Sequence, residues 1–216
     1  MPYPFRTARG RVSNAGDEPR YVGRIPCAKA EKGELWFRSV VELCVGQFLA
    51  WSPEVQRIFY ERRPLSFESV AGLPALTCWP DYEIVLDSGE IEWIEAKASP
   101  ESLAAEDKAR LELIAAHCAR ESRRYRVIYR SELEKDGFIE TISLLRPYGR
   151  LTFGPHVLKS AIARLGGYEA THLDGWSDHA RAERVPLDVL FHLLYHQHLP
   201  LKYRPLVHTE LRKWHE

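Results

Sequence analysis

The stretch WPDYEIVLDSGEIEWIEAK, residues 79–97, decides the fold. Apolar and polar residues alternate on both sides of Asp87-Ser88-Gly89, the pattern of two antiparallel strands joined by a tight turn. A strand has a side-chain period of two, so Ile91, Trp93, Glu95 and Lys97 share one face, while Ile94 and Ala96 take the other. On the first arm Asp81, Glu83 and Val85 share a face. Pairing around Ser88-Gly89 puts Asp81 at the same end of the hairpin as Glu95 and Lys97. Two carboxylates and an ammonium thus gather at the end of an otherwise apolar hairpin. Such an end is either an exposed set of ordinary ion pairs or a site for a hard divalent cation. Mg²⁺ suits the second, since it takes one or two carboxylates and keeps water and phosphate oxygens.

Around this hairpin, the 216 residues allow one ordinary domain and a smaller appendage. The apolar share is ordinary for a globular chain, with six Trp and ten Tyr for a core. No apolar run approaches the roughly 18 residues of a membrane span, and MPYPFRTARGR has no apolar signal region, so a cytoplasmic protein is expected. Cys27, Cys44, Cys78 and Cys118 are scattered without a C-x-x-C pair and read as buried or half-buried free thiols. Thirty basic and thirty acidic residues cancel, which argues against a non-specific nucleic-acid coat. Basic residues nevertheless concentrate before residue 33 and in RESRRYRVIYR (120–130), runs that are either solvated faces or phosphate contacts at the rim.

Along the chain, 1–33 reads as a basic arm broken by Gly and Pro. ELWFRSVVELCVGQFLAW (34–51) reads as a helix ended by Ser52-Pro53. Strands are expected at 55–61 and 64–70 before the hairpin. Ser99 as N-cap, Pro100 at the first helical position and Glu101 in the first turn predict a helix directly after it. YRVIYR (125–130) reads as a strand. Ser131 and Glu134 form the S-x-x-E box of a following helix. This order predicts an α/β domain, one mixed sheet flanked by helices, over 34–148. Composition changes near 150, and eight of nine histidines lie beyond it. Residues 149–216 read as a small helical or winged-helix module, with helices expected at 185–199 and 207–214, where Arg212 and Lys213 would face DNA or a partner. His192, His196 and His198 read as an aromatic-like helix face rather than a metal site, since no Glu or Cys completes a ligand set.

A third acid is expected from the helix before the hairpin. Glu42 is either the i+4 surface partner of Arg38 or, amid Val40, Val41, Leu43, Val45 and Phe48, a ligand with a specific task. Pro80-Asp81 followed by Glu95-Ala96-Lys97 resembles the PD-(D/E)xK nuclease superfamily. Within it, Gly23-Arg24-Ile25-Pro26, Lys29, Arg38-Ser39 with Glu42, Ser52-Pro53-Glu54-Val55 and Pro64 resemble TnsA-type endonucleases of heteromeric transposases, over about residues 22–97. Cys27 stands where Ser is usual and Arg63 where Gln is usual.

The resemblance implies a restriction-endonuclease-like core and a Mg²⁺-dependent DNA endonuclease (Mn²⁺ substituting). Glu42, Asp81, Glu95 and the Ala96 carbonyl would bind one or two metals. Lys97 would orient or help deprotonate the attacking water, or serve only as the ion-pair partner of Glu95. It further implies cleavage of one strand at each transposon end, an integrase-like transposase subunit and an AAA+ ATPase as partners, and a prokaryotic, nucleoid-associated setting. Arg24, Lys29, Arg38, Arg123, Arg124 and Arg126, with the arginines of the arm, are the candidate contacts to duplex DNA. A stand-alone restriction- or repair-type nuclease and a non-catalytic DNA-binding assembly subunit are the alternatives.

Overall fold

The computed structural model describes residues 21–70, 72–135, 137–168 and 172–201. Its chain begins with a hairpin, β1 (Gly23–Pro26) against β2 (Glu34–Phe37). This corrects two expectations. Residues 23–33 are not a bare arm, since Cys27 and Ala30 are buried in the core. Glu34–Phe37 is a strand, so helix α1 begins later, at Val40–Trp51. ELWF suits either state by periodicity, and its pairing with GRIP decides the matter.

Three strands follow α1: β3 (Val55–Tyr60), then β4 (Leu65–Phe67) and β5 (Leu76–Cys78), which pair with each other. The opening hairpin is β6 (Tyr82–Leu86) and β7 (Ile91–Lys97), with Gly89 at φ +84° supplying the left-handed turn residue. Helix α2 (Ala105–Arg120) then crosses to β8 (Arg124–Tyr129). The central sheet has four strands in the order β3-β6-β7-β8. Its first three pair antiparallel and β7-β8 pairs parallel, giving the mixed sheet expected.

Helix α2 starts five residues later than Ser99-Pro100 predicts. Ser99 instead closes a local turn, its Oγ accepting from the Ser102 amide at 3.1 Å. The helix expected from Ser131 begins at Arg130 and is split in two, α3 (Arg130–Lys135) and α4 (Phe138–Leu145), with Gly137 at φ +73° between them. The Ser131 amide donates to the Ala98 carbonyl rather than capping a helix.

One sheet face packs Ile58, Tyr82, Ile84, Ile94 and Ala96 against Val45 and Leu49 of α1 and Phe138 of α4. The other packs Trp93 against Phe67, Cys78 and, from α2, Ile114 and Cys118. All four cysteines are buried free thiols.

After a short 3₁₀ turn (Tyr148–Arg150), helices α5 (Pro155–Leu165), α6 (Leu173–Ala182) and α7 (Leu187–Tyr195) enclose a separate core around Trp176, Leu190 and Phe191. The two cores meet on α4, where Phe138 and Ile142 belong to the first and Leu145 to the second. The seam is polar as well, since the Trp51 indole N–H donates to the Tyr195 carbonyl at 2.8 Å. Among the described residues no strand follows β8, so this region is helical there; the helix expected at 207–214 lies outside the described residues. No helix of the described residues is long and apolar enough to cross a membrane.

Candidate active site

β3, β7 and β8 run the same way, and their C-terminal ends meet the start of β6 at one end of the sheet. The N-terminus of α1 comes to the same end, tied there by the Tyr82 hydroxyl, which donates to the Glu42 carbonyl oxygen at 2.8 Å.

Asp81 and Glu95 lie together. Asp81 Oδ2 accepts from the Ala96 amide at 2.8 Å across the hairpin, and the Asp81 carbonyl accepts from the Glu61 amide at 3.0 Å. Both acids are 9% exposed. Burial pushes the Asp81 carboxyl up to about 8, and the charges of Glu95 and Glu42 push the same way; the Ala96 amide and Lys97 oppose them. Lys97 Nζ donates to Glu95 Oε1 at 2.7 Å. Period-two geometry places those two side chains on one face.

Glu42 stands near enough to add to the charge on Asp81, yet its carboxylate is occupied locally. Ser39 caps α1 by accepting from the Glu42 amide at 3.0 Å, and Glu42 Oε2 accepts from the Arg38 amide at 2.7 Å, a reciprocal arrangement of the capping-box kind. Oε2 also accepts from the Tyr60 hydroxyl at 2.9 Å. Burial, then the Glu42 charge, raises the Tyr60 hydroxyl well above its usual range. The Arg38–Glu42 surface pair does not form; the Arg38 guanidinium pairs with Glu61 at 2.8 Å instead. Among the described residues no three acid, histidine or cysteine side chains converge closely enough to hold a metal. Of the charges acting on Asp81, that of Glu95 is the largest. Two hard carboxylates, crowded enough to hold one proton back at neutral pH, form a donor set of the kind Mg²⁺ takes.

The six expected DNA contacts are spread over the molecule, and each is already partnered. Arg24 pairs with Glu34 at 2.7 Å, Arg123 with Glu121 at 2.8 Å, Arg124 with Glu90 at 2.7 Å and Arg126 with Glu92 at 3.1 Å. Arg38 is held on Glu61, and the Lys29 ammonium donates to the Ser52 carbonyl, its pKa lowered by burial. One carboxylate for each of the five arginines leaves little surplus positive charge there, while Lys29 keeps its charge against a neutral carbonyl. The basic arm before residue 21 lies outside the described residues.

Two features escape the sequence reading. Glu83, whose place at the end of the hairpin suggests a rim charge, is only 2% exposed. It accepts from both Arg62, at 2.9 Å, and Arg63, at 2.8 Å. Period two puts Glu83 on the face of Asp81, but the arginines arrive from a turn that carries no sequence signal. Tyr125 is the other. Its hydroxyl is buried with no hydrogen-bond partner among the described residues, and its pKa is raised by burial first and by Glu95 next.

In the helical region, His192 Nδ1 and His196 Nε2 lie 3.1 Å from the carbonyl oxygens of Tyr148 and Gly149, and the two rings pack 4.5 Å apart. The chain matches no protein-family model, and no curated protein matches it.

Proposed function

We propose that this protein is a Mg²⁺-dependent DNA endonuclease with a restriction-endonuclease-like core, acting as the strand-cutting subunit of a transposase at transposon ends. The observation that carries the reading is Asp81 bonded across the hairpin to the strand bearing Glu95 and Lys97, with Glu42 held at the same end of the sheet. Pro80-Asp81 and Glu95-Ala96-Lys97 supply the motif, and the hairpin gathers its residues at one end. The resemblance to TnsA-type sequences supports the transposition setting and the partners, an integrase-like transposase subunit and an AAA+ ATPase.

In this reading Asp81 and Glu95, with the Ala96 carbonyl, would hold the cation, and Glu42 is the third acid. A bound Mg²⁺ would polarise the scissile phosphate and offset the charge that develops on it. Lys97 sits on the strand face of Glu95 and would orient the attacking water. Ala96 N–H fixes the Asp81 carboxylate, so the acid is positioned before any ligand arrives. The cleavage leaves no covalent link to the protein.

The test is incubation of the purified chain with supercoiled plasmid and with a transposon-end duplex in Mg²⁺, with and without a transposase partner. Nicking that disappears in Asp81→Ala supports the nuclease. Dependence on the partner supports the transposition role, and cutting without it favours a stand-alone nuclease. Cutting that persists in Asp81→Ala overturns the site. A folded chain that binds duplex and never cuts leaves the non-catalytic assembly subunit as the reading.

A further inference from the structure

We infer that Arg57, Arg62 and Arg63, gathered around Glu83 and Phe59, form a clamp for backbone phosphates of the duplex beside the candidate cleavage site. The inference rests on the nuclease reading and names how that site would take its substrate.

Charge arithmetic separates this cluster from the other basic residues. Arg24, Arg124 and Arg126 each meet one carboxylate. Here a single carboxylate, Glu83, is shared by two guanidiniums, and Arg57 forms no ion pair among the described residues. Three cations against one anion leave a surplus, and the surplus is outside: Arg62 and Arg63 are 44% and 52% exposed while Glu83 is buried. Arg57 and Arg62 also lie over the Phe59 ring, at 4.9 Å and 4.0 Å. Each guanidinium is therefore anchored by the Glu83 carboxylate or the Phe59 ring, while Arg62 and Arg63 remain about half exposed. An arginine fixed in this way is suited to bidentate phosphate recognition.

Position agrees with charge. Glu83 is two residues after Asp81 on one strand face, about 7 Å along β6 at a strand's ordinary rise. Phe59 lies opposite Glu83 on β3. The chain turns from β3 into Arg62-Arg63 through Glu61, at φ +37°, a left-handed conformation that a glutamate adopts at a cost of about 1–2 kcal/mol. The Glu61 amide is in turn fixed on the Asp81 carbonyl. Strain is accepted where it brings two cations beside the acids.

The test is the salt dependence of duplex binding, read by fluorescence anisotropy with Ca²⁺ in place of Mg²⁺ over about 50–200 mM salt. Arg62→Gln with Arg63→Gln is expected to reduce the log–log salt slope by about 2, near 0.9 for each phosphate no longer neutralised. Arg57→Gln, which leaves Glu83 fully paired, is expected to reduce it by about 0.9 and keeps the test available if the double variant does not fold. Arg181→Gln, whose guanidinium meets Asp178 within α6, is the control and should leave the slope unchanged. Slopes equal to wild type in Arg57→Gln and in any folded double variant overturn the clamp. Mg²⁺-dependent cutting by the wild type, measured in parallel, separates the two failures: if cutting is intact and slopes are unchanged, only the clamp is lost.

Discussion

Asp81 and Ala96 are joined across the hairpin by a 2.8 Å hydrogen bond from the Ala96 amide to the Asp81 carboxylate. The bond favours the ionised acid, while burial and Glu95 disfavour it more strongly, so the folded protein holds Asp81 protonated up to about pH 8. Below about pH 3.8, the carboxyl is protonated in the folded and unfolded chains alike. Above that, the unfolded chain ionises first and stability falls, at about 1.4 kcal/mol per pH unit at most, until the folded acid also ionises near pH 8. Asp81→Asn keeps an oxygen acceptor for Ala96 and removes the ionisation. In metal-free buffer its melting temperature should exceed that of wild type by a margin that widens from pH 4 to pH 8. Equal pH profiles for the two proteins would sink this account.

The hairpin is legible in the sequence because its alternation and its Asp87-Ser88-Gly89 turn are local signals, and the pairing of acids follows from period two. Glu34–Phe37 is not legible as a strand, because its apolar run fits a helix equally well and only its pairing with Gly23–Pro26 decides between them. The same shift hides the capping role of Glu42, which exists only because the helix starts after Ser39. Glu83 is obscured for a related reason. Its burial depends on arginines delivered by a left-handed glutamate, where a glycine would have marked the turn.

Lys97 and Glu95 pair at 2.7 Å with the lysine side chain 28% exposed. Glu95 is buried, so Lys97→Met leaves its carboxylate without a cation and should cost up to about 3–5 kcal/mol, which the urea midpoint reads. If Lys97 serves the attacking water, cutting should fall by about 10²–10⁴-fold while duplex binding in Ca²⁺ is retained. Plasmid nicking at fixed protein concentration measures the first and anisotropy the second. A variant that nicks at the wild-type rate would reduce Lys97 to the ion-pair partner of Glu95.

Gly46 sits inside α1, where alanine would ordinarily gain about 1 kcal/mol of helix propensity. Here a Cβ would meet the Leu35 side chain at 2.7 Å and the Tyr82 hydroxyl at 2.8 Å. That hydroxyl anchors β6 to the Glu42 carbonyl, next to Asp81. Overpacking of this kind costs about 1–3 kcal/mol, and a displaced Tyr82 forfeits a further hydrogen bond of about 1 kcal/mol. Gly46→Ala should therefore lower the urea midpoint, with a net loss of about 1–3 kcal/mol. A raised midpoint would show that Tyr82 does not need the gap.

Glu83 and its two arginines are unequal partners, because the carboxylate is buried and the guanidiniums are about half exposed. Glu83→Gln leaves two cations that can turn to water and one amide that can still accept a hydrogen bond, so the loss should stay near 1–3 kcal/mol. Removing both arginines instead strands a buried carboxylate, a situation that costs about 3–5 kcal/mol. The order of destabilisation should thus be Arg62→Gln with Arg63→Gln above Glu83→Gln, although the double change touches only exposed side chains. Adding Glu83→Gln to the double variant should restore part of the stability, since it removes the stranded charge. Urea unfolding of the four proteins closes the cycle. Strict additivity would mean that the arginines do not compensate Glu83, and the cluster would then be a set of independent surface groups.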